Sequence, residues 1–521
     1  MTTYTAISFA PVQGFIEKSR KLRDLYGASQ ILSYLSWHIV KRAKKQGVKV
    51  ISPALDPDAY TFDIANVDIV QGMPNRILLE GEFSCNDAKS AVAKGWAEII
   101  TTCRGWIQKQ LAEDFTFSDE SWGRAWTKWK INAWEVFWGT GTTIDEAMRD
   151  LETRKLRRDW SVPNWNGESS SLSGADAIAH PNMDYLGTSE AEIKRFYKCL
   201  AQVLDPSETE NDFAYINENE RLSIPELIKR LVTYPDIASG LERDKVLKRG
   251  DPKRIFDLTS FNEVLRKDEE SGYWTGWFMG DGDKVGDYLK SLAEPIEVTD
   301  FSRSLRGWGK EFQNNFELGR IVYAGGDDFL GIIYGDKSNP QRTGHEAIDW
   351  LISIHQDWKS HDLGITLSVG FVWAGHSVPQ RDVLQHCREA EKRAKNLGRD
   401  RVTIRIVFNN GQFVEWTTPW EYLTWLRDYC DRNDRTGKDA NWSHIYSDLA
   451  QLKARHAIPP RTAQNPDDSI ALHLFGLYFG NDKQEVLSRD REQITGTEDT
   501  SSVIEWIEGM IQVGWHLCSN S

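Results

Sequence analysis

At 521 residues the chain is too long for one ordinary core, and length alone implies roughly three or four domains. With 40% hydrophobic and 27% charged residues it reads as globular and soluble; no apolar run reaches membrane-spanning length, and the opening residues lack the basic-then-apolar pattern of a signal peptide. A net charge of −14 disfavours a protein that grips naked nucleic acid by bulk electrostatics, although residues 1–50 hold nine Lys or Arg against two acids and 381–405 hold eight against four. Six scattered cysteines without close pairs argue against a zinc site or a disulfide framework and fit a reducing, cytoplasmic setting.

In chain order, Thr5 to Val12 is an apolar strand. A helical pattern over Gly14–Asp24 is punctuated by Gly27-Ala28-Ser29 and resumes over Ile31–Lys45. Gly72-Met73-Pro74-Asn75 is a turn before a strand at Arg76–Glu82, and Asn86 can cap a long helix reaching about Ala112. Trp122, Trp126 and Trp129 keep helical spacing, whereas Trp134, Val136 and Trp138 alternate as in a strand. Residues 1–140 thus form an α/β domain. Residues 141–265 are irregular and mostly helical, a connector containing a polar loop (164–171) and a helix at Ile224–Val232.

Residues 266–408 carry the clearest pattern. A buried strand, Tyr273–Gly280, delivers Asp281-Gly282-Asp283; two helical stretches follow. Strands Gly319–Tyr323 and Phe329–Tyr334 flank Gly325-Gly326-Asp327-Asp328 as a hairpin. A helix (344–359), a strand (365–373), a helix (378–396) and a strand (402–407) complete the order β-αα-β-β-α-β-α-β of a nucleotide-polymerising palm. The first domain opens similarly, so the predicted fold is α/β (α+β) with two ferredoxin-like palms, a helical connector and a helical bundle over 409–521.

Hairpin pairing would bring Asp327 or Asp328 beside Asp281. Carboxylates converging on a sheet edge are hard oxygen ligands suited to Mg²⁺ or Mn²⁺, and a pair of such ions serves in-line phosphoryl displacement. Gly325 and Gly326 let backbone approach a nucleotide. Gly-Gly-Asp-Asp or Asp-Gly-Asp alone is an ordinary turn former; in this order, between apolar strands, the two point to chemistry. Asp283 is either a third metal ligand or a helix cap, and Lys395 either a triphosphate partner or a basic helix end. His361-Asp362 sits in a short link with no other histidines around it and reads as an exposed turn.

These segments resemble the large subunit of type III CRISPR effectors, the Cas-ten family, and most closely its Cmr-type members. The resemblance is carried by 280–286 (Gly-Asp-Gly-Asp-Lys-Val-Gly) and 324–330 (Ala-Gly-Gly-Asp-Asp-Phe-Leu). It extends to 10–16, 20–29 and 72–76 in the first palm, to 171–176, Glu220-Arg221-Leu222 and Lys229-Arg230-Leu231 in the connector, and to Thr366–Gly370 and Ala394-Lys395. It implies two divalent ions and ATP as substrate, with the 3′-hydroxyl of one ATP attacking the α-phosphate of another to give, finally, a cyclic oligoadenylate. Carried over by position, it implies Asp281, Asp327 and Asp328 as catalytic residues, metal held by Asp281 and Asp328 with Asp283 as a candidate, and nucleotide contacts from Gly282, Gly325, Gly326, Ser368 and Lys395. The first palm has Pro11-Val12 in place of Asp281-Gly282 and is expected not to catalyse. The family also implies partners: other Cas subunits, a guide RNA, and a target RNA that switches synthesis on. Many members carry an N-terminal His-Asp nuclease domain; this sequence starts with the palm, so no DNase activity is expected. The rival readings are an idle scaffold subunit of such a complex and a free-standing nucleotide cyclase.

Overall fold

The computed structural model describes residues 2–19, 21–54, 72–157, 165, 167–182, 188–205, 215–241, 272–292, 294–335, 341–459, 467–497 and 501–519. The chain divides into two compact units interleaved in sequence: 1–262 with 289–310 and 322–326, and 263–288 with 311–321 and 327–521.

The first unit is built on strands β1 (Tyr4–Ala10), β2 (Lys49–Ser52), β3 (Arg76–Glu80) and β4 (Glu135–Gly141), in the order β2-β3-β1-β4. Helices α1 (Gln13–Glu17) and α2 (Leu22–Lys45) follow β1, α3 (Cys85–Gln110) and α4 (Arg124–Asn132) precede β4, and α5 (Ile144–Lys155) follows it. β1 is apolar at nearly every position because both of its faces are covered. Ile7 and Phe9 join the core shared with α2 and α3, while Ala6 joins Ala147 and Leu151 of α5 on the other side.

Two readings from sequence are corrected here and one strand is added. The cap of α3 is Ser84, whose hydroxyl accepts from the Asp87 amide, and not Asn86. Helix α2 runs unbroken through Gly27. That glycine is a packing position: a Cβ there would collide with the carbonyl of Lys229 in α7 (Ile224–Leu231). Third, β2 gave no strand signal, since its Lys49 and Ser52 interrupt a four-residue run.

Between α6 (Glu190–Leu204) and α8 (Pro235–Leu241), α7 ties the connector to the first palm. Arg230 of α7 donates to Asp24 of α2 (Nε to Oδ1, 2.7 Å), both side chains fully buried, and to Glu220 (Nη1 to Oε2, 2.5 Å). The neighbouring Lys229 ammonium donates to the carbonyls of Phe15 and Lys18. Burial pulls its pKa down to about 8.

In chain order β5 (Thr275–Gly282) is followed by α9 (Val285–Ser291), α10 (Pro295–Asn315), β6 (Gly319–Gly325), β7 (Asp328–Ile333) and α11 (Gly344–Ser360). Then come β8 (Leu367–Ala374), α12 (Gln380–Asn396), β9 (Arg401–Val407) and β10 (Phe413–Pro419). The sheet order is β10-β9-β8-β5-β7-β6. Strand β5 is central and antiparallel to both neighbours, and β8 and β9 run parallel. One face is filled by an aromatic cluster around Phe278, whose ring lies 4.2 Å from that of Trp350 and also meets Phe312 and Phe329.

Strand β10 corrects the expected helical tail. It pairs with β9 through a turn at Asn410-Gly411, where Gly411 has φ +81°; the Asn-Gly hairpin signal is in the sequence. Beyond it the tail is helical, with helices at Ser443–Ala454, Ser469–Phe479, Asn481–Arg489 and Ser501–Cys518. Among the described residues no helix is long and apolar enough to cross a membrane.

Replacing Arg230 by Ala takes the guanidinium from the buried Asp24 carboxylate and should cost about 3–5 kcal/mol in chemical denaturation, whereas Arg230→Met in an Asp24→Leu background should recover most of that loss.

Candidate active site

Two strand ends and one helix bring the site residues together. In the β5–β7 ladder Asp281 stands directly opposite Asp328. Opposed residues of an antiparallel pair point to the same face, with Cβ atoms about 4.5–5.5 Å apart. The two carboxylates therefore share one side of the sheet edge. The turn joining β6 to β7 is tight. Gly326 adopts φ +92°, a conformation that favours glycine, and the Gly282 amide donates to the Asp327 carbonyl (2.9 Å), stitching the turn to the end of β5. Within the first unit, Gly325 lies backbone to backbone against Gly72, so its missing side chain already serves a protein neighbour.

The helix is α12, which crosses β8 at Gly370. A Cβ at Gly370 would collide with the Cys387 carbonyl and the Glu391 amide, so only glycine admits the helix this closely. Gly370 opposes Met279 and Ser368 opposes Asp281, which places α12 over the carboxylate face. Lys395 of α12 reaches Asp281 (Nζ to Oδ2, 2.5 Å) and pairs with Glu391 one turn earlier.

The local charge is negative: Asp281 and Glu391 pair with the one ammonium, Lys395, while Asp327 and Asp328 add their charge beside Asp281. Burial raises the Asp281 carboxyl, and Lys395 pulls it back without cancelling the rise. Burial lowers the Lys395 ammonium, but its bonds to Asp281 and Glu391 outweigh that and leave it raised. Asp328 is held well above the usual carboxylate range, first by desolvation and then by repulsion from Asp327 and Asp281. Its residue surface is nevertheless exposed at the sheet edge, so solvent screening limits what the shift is worth and only its direction bears on stability.

Asp283 is put to a different use from its neighbours. It is buried, and its oxygens accept from Thr366 Oγ1 (2.8 Å), Ser368 Oγ (2.8 Å) and the Asp400 amide (3.0 Å). Asp283 and Ser368 thus pin the loop after β5 to β8 and to the turn after α12. No bond from the Asp283 side chain caps α9 among the described residues. His361 ends α11, with Nδ1 2.9 Å from the Asp357 carbonyl and Nε2 3.3 Å from Glu311, and has no place in the carboxylate group. Two contributors escaped sequence reasoning, Glu391 and the packing role of Gly370; the i,i+4 spacing of Glu391 and Lys395 was the available signal.

Residues 274–403 match the family model described as Cas10/Cmr2, second palm domain, and residues 4–101 match that of CRISPR-associated protein Cmr2, N-terminal. Over these two stretches the chain is similar to domains of the Cas10/Cmr2 family. No curated protein sequence matches it. Among solved structures, a type III-B Cmr-beta assembly in the apo state, determined by cryo-EM, contains a chain with TM-score 0.58 and 12% identity. That match covers 98% of this chain and 82% of the other, and shows the shared fold. The Csm1–Csm4 cassette is similar at 13% identity as the apo form (TM-score 0.49) and at 14% in complex with cA4 (TM-score 0.47), each covering 99% of this chain and 70% of that one.

The raised Asp328 carboxyl has a stability consequence. A folded-state pKa above the unfolded value gives a contribution that is whole below the unfolded value, about 3.9, and is lost as pH rises through the folded one. In chelator, Asp328→Asn should therefore melt above wild type at neutral pH, and the gap should close towards pH 4 in a calorimetric pH series.

Proposed function

We propose that this chain is a Cas10/Cmr2 protein, the nucleotidyl-transferring large subunit of a type III CRISPR effector, joining ATP into cyclic oligoadenylates with two divalent metal ions when target RNA pairs with the guide. The observation that carries the reading is the direct opposition of Asp281 and Asp328 under Lys395. The donor set fits Mg²⁺ or Mn²⁺: hard carboxylate oxygens, raised in pKa first by burial and, at Asp328, also by repulsion from Asp327 and Asp281 that a cation would relieve. Among the described residues no group of three or more His, Cys, Asp or Glu is arranged to hold an ion alone, in keeping with a cation that draws further ligands from substrate phosphates and water. Asp281 and Asp328 would hold the ions, with Asp327 beside them. Bound there, such a pair would lower the charge barrier between an attacking 3′-hydroxyl and the α-phosphate and stabilise departing pyrophosphate.

The chain's own residues do the rest. Lys395 holds the Asp281 carboxylate at one rotamer and, one bond away, offers a cation to a phosphate oxygen. Glu391 keeps that ammonium in place. Asp283, through Thr366 and Ser368, holds the backbone that carries Asp281, a positioning role. The first palm, with Pro11-Val12 at the corresponding strand end, serves as scaffold. Other Cas subunits, guide RNA and target RNA are the partners this reading requires.

The test is mass spectrometry of products formed from ATP or GTP with Mg²⁺ by the assembled complex, with and without target RNA. Adenylate rings made only with target are expected, falling at least about a hundredfold in an Asp327→Ala/Asp328→Ala variant. A guanylate dimer, no product in any condition, or undiminished synthesis by that variant would each overturn the proposal. Lys395→Ala should lower the rate by about tenfold or more, with Lys395→Arg restoring only part of it.

A further inference from the structure

The first palm leaves one strand edge open. Among the described residues β4 is the terminal strand of its sheet, paired with β1 alone. The Thr140 amide donates to Asp150 Oδ2 (3.0 Å), so it faces away from β1; by strand alternation the amides of Val136 and Trp138 face the same way. Among the described residues Asp150 occupies the edge at Thr140 and no other bond to the outward amides is seen. Along the remainder a cavity of about 760 Å³ opens, with α3 and the end of α4 on one side and α5 on the other. Exposed edges are normally blunted by proline, bulges or a covering element, and here β4 keeps regular register with β1 from Glu135 to Gly141.

The rim carries two further signals. Ile131 (70% exposed) lines the cavity and Leu156 (87%) lies beside its lining residue Arg157, both unusually bare for large apolar side chains. The charged lining is Lys89, Lys130, Arg154 and Arg157 against Glu135 and Asp150, and Asp150 is already taken by Arg154 (3.0 Å) and Thr140. A positive excess on a chain of net charge −14 selects an anionic occupant. The indoles do not provide a base-stacking platform. Trp134 is wedged between Phe9, Phe15 and Trp96, and Trp138 has the Arg154 guanidinium 4.9 Å from its ring and donates its N–H to the Phe83 carbonyl (2.6 Å).

We infer that the free edge of β4 is a docking groove for an extended acidic segment of a partner protein, which adds as a strand along Val136 and Trp138, sets an apolar side chain into the cavity and pairs its carboxylates with Lys89, Lys130 and Arg157. Main-chain bonds give the affinity and the basic rim gives the selection. The groove is separate from the carboxylate site and does not depend on its chemistry.

The experiment titrates the full chain with fluorescein-labelled peptides by anisotropy. One alternates Val and Thr between Asp-Glu ends, one has the same ends with proline at alternate positions, and one has Lys ends; a single-stranded oligouridylate is the fourth probe. The acidic β-forming peptide should bind and protect the Val136 and Trp138 amides in hydrogen exchange. K89E/K130E, which alters only exposed side chains, should weaken it about tenfold or more. Val136→Pro removes an outward amide and spares the β1 ladder, so it should abolish binding; should that variant melt early, the charge reversal decides. Failure of the acidic peptide to bind at millimolar concentration, equal binding of the proline or Lys-ended peptide, insensitivity to K89E/K130E, or binding of the oligouridylate alone would overturn the inference.

Discussion

The register of β5 against β7 is the constraint from which the candidate site follows. It sets Asp281 opposite Asp328, and a slip of one residue would turn one carboxylate to the opposite face. The register is held on both sides. The aromatic cluster around Phe278 specifies one face of β5, and the approach of α12 over Gly370 specifies the other. The Gly282 amide, bonded to the Asp327 carbonyl, closes the open end. A catalytic motif in a hairpin turn is only as well placed as the strands beneath it, and here those strands are fixed by packing well away from the acids.

Charge near the site is arranged in two layers with opposite economies. The outer layer is Asp281, Asp327 and Asp328, with raised carboxyl pKa values at Asp281 and Asp328. The inner one, Asp283, is satisfied by two hydroxyls and an amide. Four acidic side chains thus fall into different roles through burial and donors, not through residue type. In the first unit the same physics is purely structural: the Arg230 guanidinium is fully buried but meets two carboxylates, and its ion pairs hold the connector against α2.

Much of the architecture was readable because local pattern and global fold agree. The apolar strand before Asp281, the glycine-rich turn before Asp328, the alternation of Trp134, Val136 and Trp138, and the helical spacing over α11 and α12 all appear in the structure where periodicity puts them. What was misread shares a cause. Gly27 was taken as punctuation because glycine breaks isolated helices, yet it exists to let a distant carbonyl come close. The β10 segment reads as part of the helical tail, although the Asn-Gly turn before it points to a hairpin.

The sequence by itself determined that two strand-borne acidic motifs lie in palm order, since strand length, turn residues and hydrophobic period are local properties. Tertiary structure alone decided which acids stand together. Asp281 and Asp328 meet, 47 positions apart in sequence, because their strands pair in one register, Asp283 is withdrawn because Thr366 and Ser368 reach it from a distant segment, and Lys395 reaches the pair because α12 crosses a glycine. Each of those is a contact between residues far apart in the chain, and such contacts are set by packing, not by their neighbours in sequence.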